Sequence, residues 1–155
     1  MGWMARSTAV DPGDEVGALA RAVATGINRR VEERLRQGGF PDVRKLHRDV
    51  VLGLVAGDTN VIALAGRLSV SAQAVSKAVG ELEVNRWVEK GRDPGDGRIR
   101  PIVLTSRGEA LLDAVRRART AEARELRRWL GTRDHAELVR LLQHAAEHLR
   151  GLPPP

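Results

Sequence analysis

The sequence predicts a mainly α (α+β) fold, six helices and one β-hairpin. Two observations lead there. Apolar residues recur every three or four positions through most of the chain, and that spacing gives way once to two short β-prone runs around a Gly- and Pro-rich tip. A third concerns size: 155 residues with 42% hydrophobic content are enough for one domain, 1–155, with a sizeable shared core.

From Asp14 to Gln37 the residues Val16, Leu19, Val23, Ile27, Val31 and Leu35 line one face of a long first helix, which Gly38-Gly39 ends. Phe40-Pro41-Asp42 opens a second helix with Val43, Leu46, Val50 and Leu54 on one side and Gly57 as its stop. A short helix over 61–68 carries Leu64 and Leu68. After Ser69-Val70 another begins at Ser71, whose hydroxyl suits an N-cap. Helices joined by so few residues must cross sharply. On the second of them Val75, Val79 and Leu82 share one face, and Gln73, Ser76, Lys77 and Gly80 gather opposite. One face is core, and the other is small and polar.

Residues 87–90 and 99–105 are the two β-prone runs, and Pro101 places its strand at an edge because it donates no ladder bond. Ser106 with Glu109 suggests a capping box for a long helix to Leu130, with Leu112, Val115 and Leu126 inward. A last helix over 133–150 carries Leu138, Leu142, Ala145 and Leu149, and GLPPP cannot continue it.

Composition narrows the function. Cysteine is absent, which removes disulfides, thiolate nucleophiles and cysteine redox sensing. No apolar run nears the ~18 residues of a membrane span, and the first ten residues lack the order of a signal peptide, so a cytoplasmic location is expected. The net charge is +6 and the pI about 11.0. Nearly all the positive charge is arginine, whose planar fork suits phosphate and guanine edges, so nucleic acid is the first partner to weigh.

A short helix, a tight turn, a second helix with a polar outer face and then a basic hairpin make a winged helix-turn-helix. Short side chains at Ala72, Ala74, Ser76 and Gly80 allow a backbone to approach the major groove. Ser71 caps this helix at its groove end, Gln73 offers an amide to an adenine edge, and Lys77 reaches a guanine or a phosphate. At the hairpin Arg92, Arg98 and Arg100 bracket a glycine tip that suits a narrow minor groove, and Asp96 orients Arg98 or bonds local backbone amides.

The run LAGRLSVSAQAVSKAVGELEVNRWVEKGRDPGDGRIRPIVLTSRGEAL, with Asp96-x-Arg98 followed by Leu104-Thr105-x-x-Gly108, resembles the core of the MarR family of bacterial transcriptional regulators. That resemblance implies a winged helix-turn-helix DNA-binding lobe over 41–106 and a helical dimerisation lobe from 14–40 and 107–150. It further implies a homodimer on a pseudo-palindromic duplex site, action as a repressor, and release by a small, often aromatic effector. No reaction and no cofactor are expected. Three positions depart from the family pattern: Ser69 stands where many relatives carry glycine, and Ala72 and Ala74 where relatives often show arginine or other polar groups.

Two alternatives stay open at this point. One is a winged-helix module that binds protein and no longer DNA. The other is a zinc-dependent hydrolase, since His144, Glu147 and His148 match H-x-x-E-H. A solvated helix face explains that spacing as well, and local packing explains His47 and His135. The arginines from Arg116 to Arg128 suit a solvated or dimer-facing side better than a flank for DNA. Trp87 is expected to seal the hairpin against the recognition helix, and Trp129 to pack at a dimer interface.

Overall fold

A computed structural model describes residues 15–91 and 101–151. Its elements are α1 (Glu15–Gln37), α2 (Lys45–Val55), α3 (Val61–Leu68), α4 (Ala72–Val84), β1 (Val88–Lys90), β2 (Ile102–Leu104), α5 (Ser106–Leu130) and α6 (Thr132–Gly151). The six helices and the hairpin expected from periodicity are present. The chain divides into two compact units, 1–115 and 116–155.

In the first unit α2, α3 and α4 pack on one another, α4 also meets β1, and α2 meets β2. Leu35, Val50, Val51, Leu64, Val75, Leu82, Leu111 and Val115 are fully buried there. Val88 pairs with Leu104, Glu89 with Val103 and Lys90 with Ile102 in an antiparallel ladder. The Ile102 amide donates to the Thr59 carbonyl at 2.8 Å, which ties the base of the hairpin to the α2–α3 loop.

The first four helices end in one way. In each, a residue with positive φ follows the last turn, its amide bonds back three residues and the next amide bonds back five, the Schellman arrangement. These residues are Gly39 (φ 89°), Gly57 (φ 104°), Ser69 (φ 52°) and Arg86 (φ 57°). The longer bonds run from Phe40 to Leu35, Asp58 to Gly53, Val70 to Ala65 and Trp87 to Leu82, at 2.8 to 3.2 Å. Glycine adopts this conformation freely, whereas Ser69 and Arg86 carry the Cβ penalty. Helix α2 starts later than Phe40-Pro41-Asp42 suggests: Arg44 is its N-cap, and Val43 is buried just ahead of it.

The start of α5 also differs from expectation. Thr105 is the capping residue, not Ser106: its hydroxyl accepts from the Gly108 amide at 3.0 Å and donates to the Arg86 carbonyl at 2.6 Å. Gly108 is required because the hairpin base sits against it. A Cβ built there would lie 1.8 Å from the Trp87 carbonyl oxygen. The glycine of the Leu104-Thr105-x-x-Gly108 pattern is therefore a close approach of two backbones.

In the second unit α6 buries no residue. Leu138 is half-buried, while Leu142 is 51% and Leu149 67% exposed, so most of the apolar positions that mark this helix in the sequence lie open. On α5, Ala118 and Glu122 are buried, Leu126 is half-buried, and Arg117, Arg119, Arg124, Arg127 and Arg128 are exposed.

The strained and the crowded position respond oppositely to substitution. Ser69→Gly removes a left-handed strain of about 1–2 kcal/mol against a smaller loss of chain stiffness, so thermal melting rises by about 2–3 °C. Gly108→Ala forces the hairpin base off α5 and lowers unfolding free energy by about 2–3 kcal/mol in urea titrations.

Candidate nucleic-acid interface

Helix α4 is positioned by what it buries. Val75, Ala78, Val79 and Leu82 are 5% exposed or less, and this apolar stripe leaves the opposite side nothing to pack against. Gln73, Ser76 and Lys77 are exposed together on that side, as the helical wheel predicts. Ser71 caps the helix, its hydroxyl accepting from the Ala74 amide at 3.2 Å. A Cβ at Gly80 would meet nothing within 4 Å, so no neighbour among the described residues requires glycine there. What remains outside is a ridge of short side chains with one amide and one ammonium, the form that a major groove admits.

The hairpin begins at the end of α4. Arg86, in its left-handed conformation, turns the chain so that Trp87 drops into the core at 3% exposure, with its ring 6.2 Å from that of Phe40. Trp87 is thus a packing residue, as expected, and is too buried to stack on a base. Its indole N–H has no hydrogen-bond partner among the described residues. Arg92, Asp96, Arg98 and Arg100, expected at the tip, lie outside the described residues.

An open recess beside the hairpin base is lined by Glu83, Arg86, Glu89, Lys90, Ser106 and Arg107, among others. Arg86 and Arg107 belong to no motif in the sequence. The available signal was two further arginines flanking the β-prone runs, but only the fold brings them to one recess with Lys90. Glu83 approaches Lys90 at 3.9 Å, a loose surface pair worth little by itself.

Two polar groups lie buried on α2 behind this face. His47 accepts the Arg44 amide at Nδ1 (3.2 Å) and meets Oε2 of Glu81, on α4, through Nε2 at 2.7 Å. With Nδ1 accepting, Nε2 carries the proton and donates. Arg44 pairs with the same carboxylate, and Arg44 first, then His47, holds the Glu81 carboxyl below its usual range. Arg48 is 3% exposed and bonds Glu32 Oε1 at 3.0 Å and Asn28 Oδ1 at 2.7 Å, both on α1. The sequence expectation of ring packing for His47 gives way to a hydrogen bond between helices.

His144 and His148 are exposed on α6. Among the described residues no group of three or more His, Asp or Glu side chains is placed to hold a metal ion. No helix among them is long and apolar enough to cross a membrane.

The description "MarR family" fits a family model that matches residues 50–99. Among curated proteins, none matches the chain. Several solved structures are similar. A MarR/EmrR family transcriptional regulator from Acinetobacter sp. ADP1 is 17% identical, with 92% of this chain and 100% of that one covered and a TM-score of 0.72. A mutant MarR from E. coli complexed with operator DNA is 23% identical, with 88% and 99% covered and a TM-score of 0.71. A MarR family protein from Mycobacterium tuberculosis complexed with salicylic acid is 22% identical, with 88% and 98% covered and a TM-score of 0.68. The family match spans the helix-turn-helix and the start of the hairpin, and the likeness of fold extends over most of the chain. Over residues 50–99 the chain is therefore similar to the MarR family, and its fold is like that of solved structures of that family.

Proposed function

We propose that this protein is a ligand-responsive transcriptional repressor that binds a pseudo-palindromic duplex as a homodimer and catalyses no reaction. The observation that carries this is the split character of α4, whose apolar face is wholly buried while Gln73, Ser76 and Lys77 stand exposed on the second helix of a helix-turn-helix. Support comes from the likeness to a MarR structure complexed with operator DNA. In this proposal Gln73, Ser76 and Lys77 address the major groove, Ser71 the backbone at the helix start, and Arg98 a minor groove with help from Arg92 and Arg100. Asp96 shapes the wing. Arg86, Lys90 and Arg107 add positive charge at its base, where phosphates would pass.

The second copy is argued from surface chemistry. Val16, Leu19, Val23 and Ile27 form a stripe on α1 that is 37% to 80% exposed. Val139, Leu141, Leu142 and Leu149 do the same on α6, and Trp129 is 81% exposed. Exposed apolar area of this extent marks an interface. A two-fold partner covers it with its own copy of the same helices. Two recognition helices then meet half-sites about one helical turn apart. The complex of a similar fold with salicylic acid supports a small aromatic effector.

Fluorescence anisotropy on duplexes retained from a random-sequence pool tests the contacts. Lys77→Ala weakens binding by about 1–3 kcal/mol. Arg98→Ala lowers the slope of log affinity against log salt by about 0.9. Glu33→Ala changes neither. Indistinguishable titrations for Arg98→Ala and Glu33→Ala would refute the wing assignment.

Sedimentation tests the assembly. The wild type sediments as a dimer at micromolar concentration, and Val23→Asp combined with Leu142→Asp shifts it to monomer with its helical content kept.

A further inference from the structure

Glu81 lies on a shoulder of α4, between the buried stripe and the exposed ridge. Glu83 takes the other shoulder, about 160° away around the helix axis. Each is held from outside α4: Glu83 loosely by Lys90 of β1, at 3.9 Å, and Glu81 by Arg44 and the buried His47 of α2. The two attachments differ in strength. An exposed lysine pair contributes little, whereas a ring 4% exposed, with both nitrogens engaged, cannot turn without leaving a buried polar atom unmatched. Apolar packing alone leaves a helix some freedom to roll, because the contacts of Val75, Val79 and Leu82 have no direction. The hydrogen bond to His47 has one.

We infer that Glu81 is a positioning residue for duplex recognition: bonded to His47 and Arg44, it sets the rotation of α4 about its axis and hence where Gln73, Ser76 and Lys77 point. The next residue of α2 extends the linkage. Arg48, buried beside His47 in sequence, grips Asn28 and Glu32 of α1. A displacement of α1 therefore reaches α4 through two consecutive side chains of α2, one facing each helix. Charge separates this role from a direct contact. A carboxylate beside phosphates repels them, so if Glu81 acted only through its charge, removing it would strengthen binding to every duplex.

This inference rests on the DNA-binding proposal for its meaning, and its test has an arm that needs no DNA. The variants are Glu81→Leu, which removes the bond, and Glu81→Gln, which removes the charge but keeps an acceptor for the His47 N–H. In the free full-length protein, ring nitrogen shifts show His47 protonated at Nε2 only. Residual dipolar couplings show α4 rolled relative to α2 in Glu81→Leu and restored in Glu81→Gln. Anisotropy then uses a duplex retained by the wild type from a random pool and an unselected duplex. Glu81→Leu loses about tenfold on the retained duplex, the equivalent of one base contact, and nothing on the unselected one, while Glu81→Gln stays near wild type. Unchanged couplings in Glu81→Leu, a proton on Nδ1, or equal effects of both variants on both duplexes would overturn the inference. A wild type with no preference for its retained duplex would instead overturn the DNA-binding proposal, and the couplings would still decide the role of Glu81 in setting the helix.

Discussion

The division of α4 into a face that packs and a face that cannot is the constraint on which the rest depends. Val75, Ala78, Val79 and Leu82 are all buried in the core. The polar side is left outside, with Gln73, Ser76 and Lys77 exposed among the described residues. Rigidity comes from the same packing. A close-packed core resists deformation, so the exposed face of α4 is held in a fixed shape.

The helix ends carry this geometry outward. Four successive Schellman closures set the directions in which the chain leaves α1, α2, α3 and α4, and two of them are made with side chains that disfavour the conformation. Arg86 is the more informative. Its amide closes α4, its carbonyl accepts the Thr105 hydroxyl, and Trp87 immediately after it bears on Gly108. The end of α4, the root of the hairpin and the start of α5 are thereby one joint. The strain in Arg86 is outweighed by the burial of Trp87 that the turn permits.

Much of this was legible in the chain. Gly39 and Gly57 announce the ends of α1 and α2, Ser71 announces the start of α4, and the spacing of Val75, Val79 and Leu82 separates core from surface before any coordinates. These are local signals, readable within a turn or two of helix. The cap of α5 was misplaced by one residue because Ser106 and Thr105 are chemically alike. Only the approach of the Arg86 carbonyl, nineteen residues earlier in the chain, selects the threonine. The sequence alone suggests a packing ring for His47, because its partner Glu81 is 34 residues away and neither residue belongs to a local pattern.

What the sequence by itself determined is therefore the set of elements, their boundaries to within a few residues, and which face of each is apolar. Backbone conformational preference and the burial of apolar side chains act over one or two turns and leave a periodic trace. Tertiary structure alone decided which apolar faces find cover within the chain and which, as on α1 and α6, stay open. It alone decided which polar side chains meet across helices, because hydrogen bonds such as those of His47 and Arg48 join groups distant in sequence and depend on atomic positions that only the packed core sets.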